Sequence, residues 1–131
     1  MEGLMIAHIS IGVRDVEKSK RFYDAVLEPL GYKCIRAART LTGYGYGRDS
    51  IAFWVVSAER PVPADEKSGL HFCFRGASAE AVDAFHAAAL RAGGHDNGAP
   101  GLRPHYHANY YGAFVLDPDG HNIEAVCHSA S

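Results

Sequence analysis

The chain has 131 residues, which fits one domain of the usual ~150 residues and leaves no room for a second. Hydrophobic residues at 47% and charged residues at 21% sit near globular averages, which excludes a disordered or fibrous chain, and no apolar run approaches the ~18 residues needed to cross a bilayer. Thirteen basic against fifteen acidic residues give a net charge of −2, too weak a positive field to hold nucleic acid.

No basic segment leads into an apolar stretch at the N-terminus, so a cytoplasmic location is expected. Cys34, Cys73 and Cys127 are odd in number and lack CxxC spacing, which argues against a disulfide framework and a thiolate zinc site. Eight histidines are the compositional oddity, and their placement carries the functional reading.

Residues 5–13 alternate, with Met5, Ala7, Ile9, Ile11 and Val13 on one face and Ile6, His8, Ser10 and Gly12 on the other, which predicts a half-buried strand. Asp15 is placed to cap a helix from Val16 to Leu30, whose apolar positions keep helical spacing up to Gly31, with an irregular last turn at Pro29. Strand signals follow at Tyr32 to Ala37, Leu41 to Gly47 and Ser50 to Ser57, and a Pro-containing linker from Ser57 to Ser68.

An offset of 63 then superposes His8 on His71, Glu17 on Glu80, Phe22 on Phe85, Leu27 on Leu90 and Gly31 on Gly94, with Ser78 in the capping place of Asp15. The second copy opens with a strand from Gly69 to Arg75 and returns through a Gly-rich stretch from Gly93 to Gly101, then Asn109 to Leu116 and His121 to His128. The last two are joined by the type I turn signal Asp117-Pro118-Asp119-Gly120. The expected architecture is therefore α+β: one domain over residues 1–131 made of two βαβββ modules, about 5–57 and about 69–128, forming a curved sheet around a cavity.

If the apolar face of each opening strand packs on its helix, His8 and His71 face the cavity. In the last strand Ile123, Ala125 and Cys127 form the apolar set, which puts Glu124 on the same side as the histidines, with Asn122, Val126 and His128. Two imidazoles and one carboxylate on strands make a three-ligand metal set with open positions. Tyr110 and Tyr111 alternate faces, so one can enter the cavity as a proton donor. His105 and His107 lie in a loop that forms its rim, and Glu124, Tyr110 and His107 are the candidate catalytic residues. Cys73 shares the face of His71 and reads as cavity lining. His86, His95 and His128 are expected at the surface or at element ends, and His121 is expected to face away from Glu124.

The residues His8, Asp15, Phe22-Tyr23, Gly69-Leu70-His71-Phe72, Tyr110-Tyr111-Gly112-Ala113-Phe114 and Asp117-Pro118-Asp119-Gly120-His121-Asn122-Ile123-Glu124 resemble the vicinal oxygen chelate superfamily, that of glyoxalases, bleomycin-resistance proteins and extradiol dioxygenases. The resemblance implies a divalent ion (zinc, iron(II), manganese or nickel) on His8, His71 and Glu124. It further implies a small oxygen-rich substrate held by bidentate chelation, and a homodimer with sites shared between chains. Aligning Ser50-Ile51-Ala52-Phe53 on Asn122-Ile123-Glu124-Ala125 puts Ala52 where glyoxalase I enzymes carry a fourth, acidic ligand. Lyase, transferase or dioxygenase chemistry then stays open, and the alternative is a metal-free sequestering protein of the bleomycin-resistance kind.

Overall fold

A computed structural model describes residues 5–61 and 66–129. The first module runs β1 (Ile9–Val13), α1 (Val16–Leu27), β2 (Lys33–Ala38), β3 (Leu41–Gly45) and β4 (Ile51–Ser57). The second runs β5 (Phe72–Arg75), α2 (Ala79–Arg91), β6 (His95–Leu102), β7 (Tyr111–Leu116) and β8 (Asn122–Cys127). Residues 62–65 of the expected linker lie outside the described residues.

The 63-residue offset holds in the fold: β1 and β5, and α1 and α2, begin that far apart. Asp15 accepts the Lys18 amide and Ser78 the Ala81 amide, both at 3.1 Å, so two different side chains perform the same cap. One pairing of the repeat fails in detail. Gly31 stops the first helix at φ 91° after a 3₁₀ turn at Glu28–Leu30, whereas in the second copy Gly93 takes the positive φ, at 99°. Gly94 is instead required by close approach, because a Cβ there would stand 2.6 Å from Phe22.

The opening strands are shorter than their alternation predicts. The β1 ladder begins at the Ile9–Phe53 pair and the β5 ladder at Phe72–Ile123, so His8 and His71 each sit one residue ahead of their strand. The Gly-rich stretch is a strand, β6, with register shifts around Gly98. Pro100 is tolerated in it because β6 is an edge of its sheet.

Each module makes its own four-stranded sheet, in the orders β1-β4-β3-β2 and β5-β8-β7-β6, with the opening strand parallel to the closing one and at an edge. The two sheets do not close on one another within the chain. Helices cover one face of each, and Phe22, Tyr23, Val26, Val82, Phe85 and Ala89 meet Val13, Val55, Val115, Ile123 and Ala125 in a shared core. Burying side chains of this size contributes about 1.5–3 kcal/mol each for the larger ones.

The modules are locked together by polar contacts at the β7–β8 turn. Tyr23 Oη donates to Asp117 over 2.6 Å inside the core, and Asp117 also accepts the amides of Asp119 and His121. Arg14 pairs with Asp119 at 3.1 Å. Between β1 and β5 opens a cleft of about 630 Å³ walled by Met5, Tyr32, Tyr46, Phe72 and Phe74, with Cys73 and Arg75 on its polar side.

Candidate functional site

Strand pairing puts Cys73 of β5, Glu124 of β8 and Phe114 of β7 in one row on the uncovered face of the second sheet. Glu124 is 1% exposed, an ionisable group placed in the wall of a protein face where only partners make it tolerable. It has them. His71 Nε2 lies 3.1 Å from Oε1, and the Tyr110 hydroxyl donates to Oε2. Phe114 meets the His71 ring edge-on at 5.5 Å, and Arg103, which donates to the carbonyls of Ala99, Gly101 and Gly112, lies over Phe114.

Two ionisations near Glu124 are pushed strongly upward. Burial first, and then the Glu124 carboxylate, raise the Tyr110 phenol well above its ordinary value, so it is a proton-bearing donor at neutral pH. Burial and the Glu124 charge likewise push the Cys73 thiol up to about 12, so this cysteine is held as a thiol.

The structure brings together His71, Glu124 and Tyr110, and sets His107 beside Tyr110 at 5.3 Å between rings. It does not bring His8 to them. His8 is exposed on the first module, and among the described residues no three histidine, cysteine or acidic side chains are grouped to hold an ion. His121 faces Gly12 O at 3.3 Å, away from Glu124, and Tyr111 turns to Asp83 of α2. His86, expected at the surface, is half-buried against Asp96 at 2.9 Å.

The missing fourth ligand is located by register, and the expected residue is corrected. Ser10 pairs with Trp54 as Cys73 pairs with Glu124, so the first-module counterpart of Glu124 is Trp54 and that of Asn122 is Ala52. The sequence alignment was two residues out because each offset gives one coincidence within the strands, Ile51 on Ile123 in the alignment and Val56 on Val126 in the observed register, so identity does not choose between them. Neither residue is acidic, so the absence of a fourth carboxylate stands.

Residues that composition alone could not place are His128 and Arg103. Strand parity puts His128 on the face of Glu124, which was the available signal. Arg103 acts through the bulged pairing of β6 with β7, which no local pattern announces.

The model of the Glyoxalase/Bleomycin resistance protein/Dioxygenase superfamily matches residues 5–125. The chain belongs to this superfamily. A glyoxalase/bleomycin resistance protein from Albidiferax ferrireducens T118 is 34% identical over 95% of this chain and 99% of that one, with a TM-score of 0.82. A glyoxalase-related enzyme from Fulvimarina pelagi (19% identity, 94% and 87% covered, TM-score 0.71) and the fosfomycin resistance protein FosX from Mesorhizobium loti (19%, 98% and 94%, TM-score 0.68) share the fold. No curated protein matches the sequence.

Members of the glyoxalase superfamily commonly use divalent metals. The second module fits one in part. Two donors each about 2.1 Å from one ion and at right angles stand about 3 Å apart, and His71 Nε2 and Glu124 Oε1 are 3.1 Å apart. Tyr110 on the other carboxylate oxygen fixes the carboxylate while leaving Oε1 free to ligate. A third ligand has to come from outside this group.

Proposed function

We propose that this chain is a divalent-metal-dependent enzyme acting on a small oxygen-rich substrate by bidentate chelation, as a homodimer in which His71 and Glu124 of one copy and His8 of a second copy hold the ion. The observation that carries this reading is the buried Glu124 with His71 Nε2 at 3.1 Å. Bound there, a divalent ion would supply Lewis-acid stabilisation of an oxygen on which negative charge develops. The chain's own part is to orient the carboxylate through Tyr110 and to offer the Tyr110 phenol as a proton donor beside Glu124.

The assembly is supported by what is left uncovered. β1 and β5 are both edge strands, and the residues leading into them, Met5, Ile6 and Leu70, are 93%, 56% and 62% exposed. Exposed edges carrying apolar side chains are surfaces that a second copy would cover. Pairing β1 of one copy with β5 of the other places His8 beside the histidine and glutamate it lacks in its own chain.

A second reading is a metal-free protein that sequesters a ligand, favoured by the aromatic walls of the 630 Å³ cleft. Metal content separates the two. Elemental analysis of protein purified without chelator should give near-stoichiometric divalent ion, with His71→Ala and Glu124→Ala losing most of it. Equal trace amounts in all three would leave only the sequestering reading.

A further inference from the structure

Beside the pair His71 and Glu124 stands a second histidine cluster that the proposed chemistry does not use. His107, in the loop between β6 and β7, and His128, directly after β8, face each other with Nε2 of the first 2.9 Å from Nδ1 of the second. The neighbouring backbone assigns their protons. The Asn109 amide donates to His107 Nδ1 over 3.1 Å, so that nitrogen carries a lone pair and no proton. The His107 proton therefore sits on Nε2 and is donated to His128 Nδ1, which must itself be bare, so His128 keeps its proton on Nε2. This arrangement leaves one proton on each ring. The same contact argues against a shared metal ion, because an imidazole ligating through Nε2 carries its proton on Nδ1, where it would point into the Asn109 N–H.

One ring separates this pair from Glu124. Tyr110 receives His107 at 5.3 Å and 72° and His128 at 5.5 Å and 79°, with Tyr106 tilted against it at 4.8 Å, and its hydroxyl reaches the carboxylate. The loop that delivers Tyr110 is closed at its base, where the Arg103 amide donates to the Tyr110 carbonyl over 2.7 Å. Its apex is tied to the sheet by the imidazole pair.

We propose that His128, acting with His107, is a positioning residue for Tyr110: the neutral imidazole pair pins loop 103–110 to the end of β8 and holds the phenol on Glu124, and one proton added to either ring releases it. A proton on His107 would go to Nδ1 and face the Asn109 N–H. A proton on His128 would go to Nδ1 and face the His107 Nε2–H. Either way two hydrogens meet where one hydrogen bond stood. The ionisable groups around the pair are Tyr110, which touches both rings, Tyr106 behind it and His105 tilted against Tyr106 at 4.3 Å. Among the described residues no carboxylate is bonded to either imidazole to favour its charged form. The face that carries Glu124 is thus closed by the loop at alkaline pH and opened as imidazoles take up protons. The proposal rests on Glu124 as the working carboxylate of the site, yet its geometry does not depend on a metal.

The test uses the full chain as purified, with nitrogen-15 NMR of the imidazoles and hydrogen exchange of segment 103–110. Wild type is compared with His128→Asn, whose side-chain carbonyl can accept near the Nδ1 position without titrating, and with His128→Phe, which keeps a ring and accepts nothing. In wild type at about pH 8.5 both rings should carry Nε2–H, and at about pH 5 the loop, corrected for intrinsic rates, should exchange at least about tenfold faster. His128→Asn should stay slow at about pH 8.5 and still open at about pH 5, through the proton taken up by His107, and His128→Phe should be fast at both values, with α2 unchanged throughout. An Nδ1–H tautomer on His107, a wild-type loop insensitive to pH, or a His128→Asn variant as fast as His128→Phe at about pH 8.5 would overturn the proposal. Loss of the metal reading would leave every one of these outcomes intact, so the two fail separately.

Discussion

Cys73 and Glu124 are direct neighbours across the parallel pairing of β5 with β8, and the thiol pays nothing for that contact only while it keeps its proton. Burial and the adjacent carboxylate push it up to about 12. The cysteine nearest the candidate metal ligands is therefore held as a thiol at neutral pH, the less nucleophilic of its two forms.

In chelator-treated protein at about pH 8, Cys73 should alkylate at least about a hundredfold more slowly than an ordinary thiol, and Glu124→Gln should speed it several-fold. Peptide mass spectrometry resolves it from Cys34 and Cys127. Because the folded value lies above the unfolded one, the folded chain holds this proton more tightly; the contribution to stability is present at neutral pH and lost as the pH rises through about 12. Rapid labelling of Cys73 at neutral pH would contradict the assignment.

Tyr23→Phe should destabilise the chain by about 1–3 kcal/mol, since it leaves the Asp117 carboxylate buried with only its two backbone donors. The bond joins α1 of one module to the hairpin of the other, so both modules should lose stability together in one transition followed by denaturant. A change below about 0.3 kcal/mol would mean that the two modules are held by apolar contacts alone.

Much of this was legible from residues alone. The offset of 63 survives to the residue at β1 and β5 and at both caps, because strand parity and capping are local and the same physics repeats. Strand parity also joined His71 to Glu124. What failed depended on pairing between distant strands: Trp54 as the counterpart of Glu124 follows only from the β1–β4 ladder, and the register shifts of β6 around Gly98, inside the Gly-rich stretch that the βαβββ reading already counts as a strand, follow only from its pairing with β7. His128 was read as a strand end. Its role needs His107, 21 residues away, brought back by a loop that no periodicity describes.

Two glycines separate packing from conformation. Gly94→Ala puts a Cβ 2.6 Å from Phe22 and 2.7 Å from the Leu116 carbonyl, where the helix end seats on the sheet, and should cost about 1–3 kcal/mol or more. Gly47→Ala meets nothing within 4 Å and should change stability by less than about 0.5 kcal/mol. Comparable losses in thermal or chemical unfolding would show that close approach at Gly94 is not what selects glycine there.

The shared site makes the sharpest demand, because His8 and the His71–Glu124 pair sit on different modules that do not close within one chain. A His8→Ala chain keeps His71 and Glu124, and a Glu124→Ala chain keeps His8. In a heterodimer of the two, one interface collects all three intact residues and the other collects none of His8 and Glu124, so each heterodimer should bind one divalent ion while either homodimer binds little. Trp54, the only tryptophan, lies on the same face as His8, in register with Ser10, and reports from the complementary side. Cobalt(II) added to the heterodimer should quench its emission, and the same addition to either variant alone should not. Full metal binding by His8→Ala alone would place every ligand in one chain, and a confirmed heterodimer that recovers no metal would remove His8 from the site.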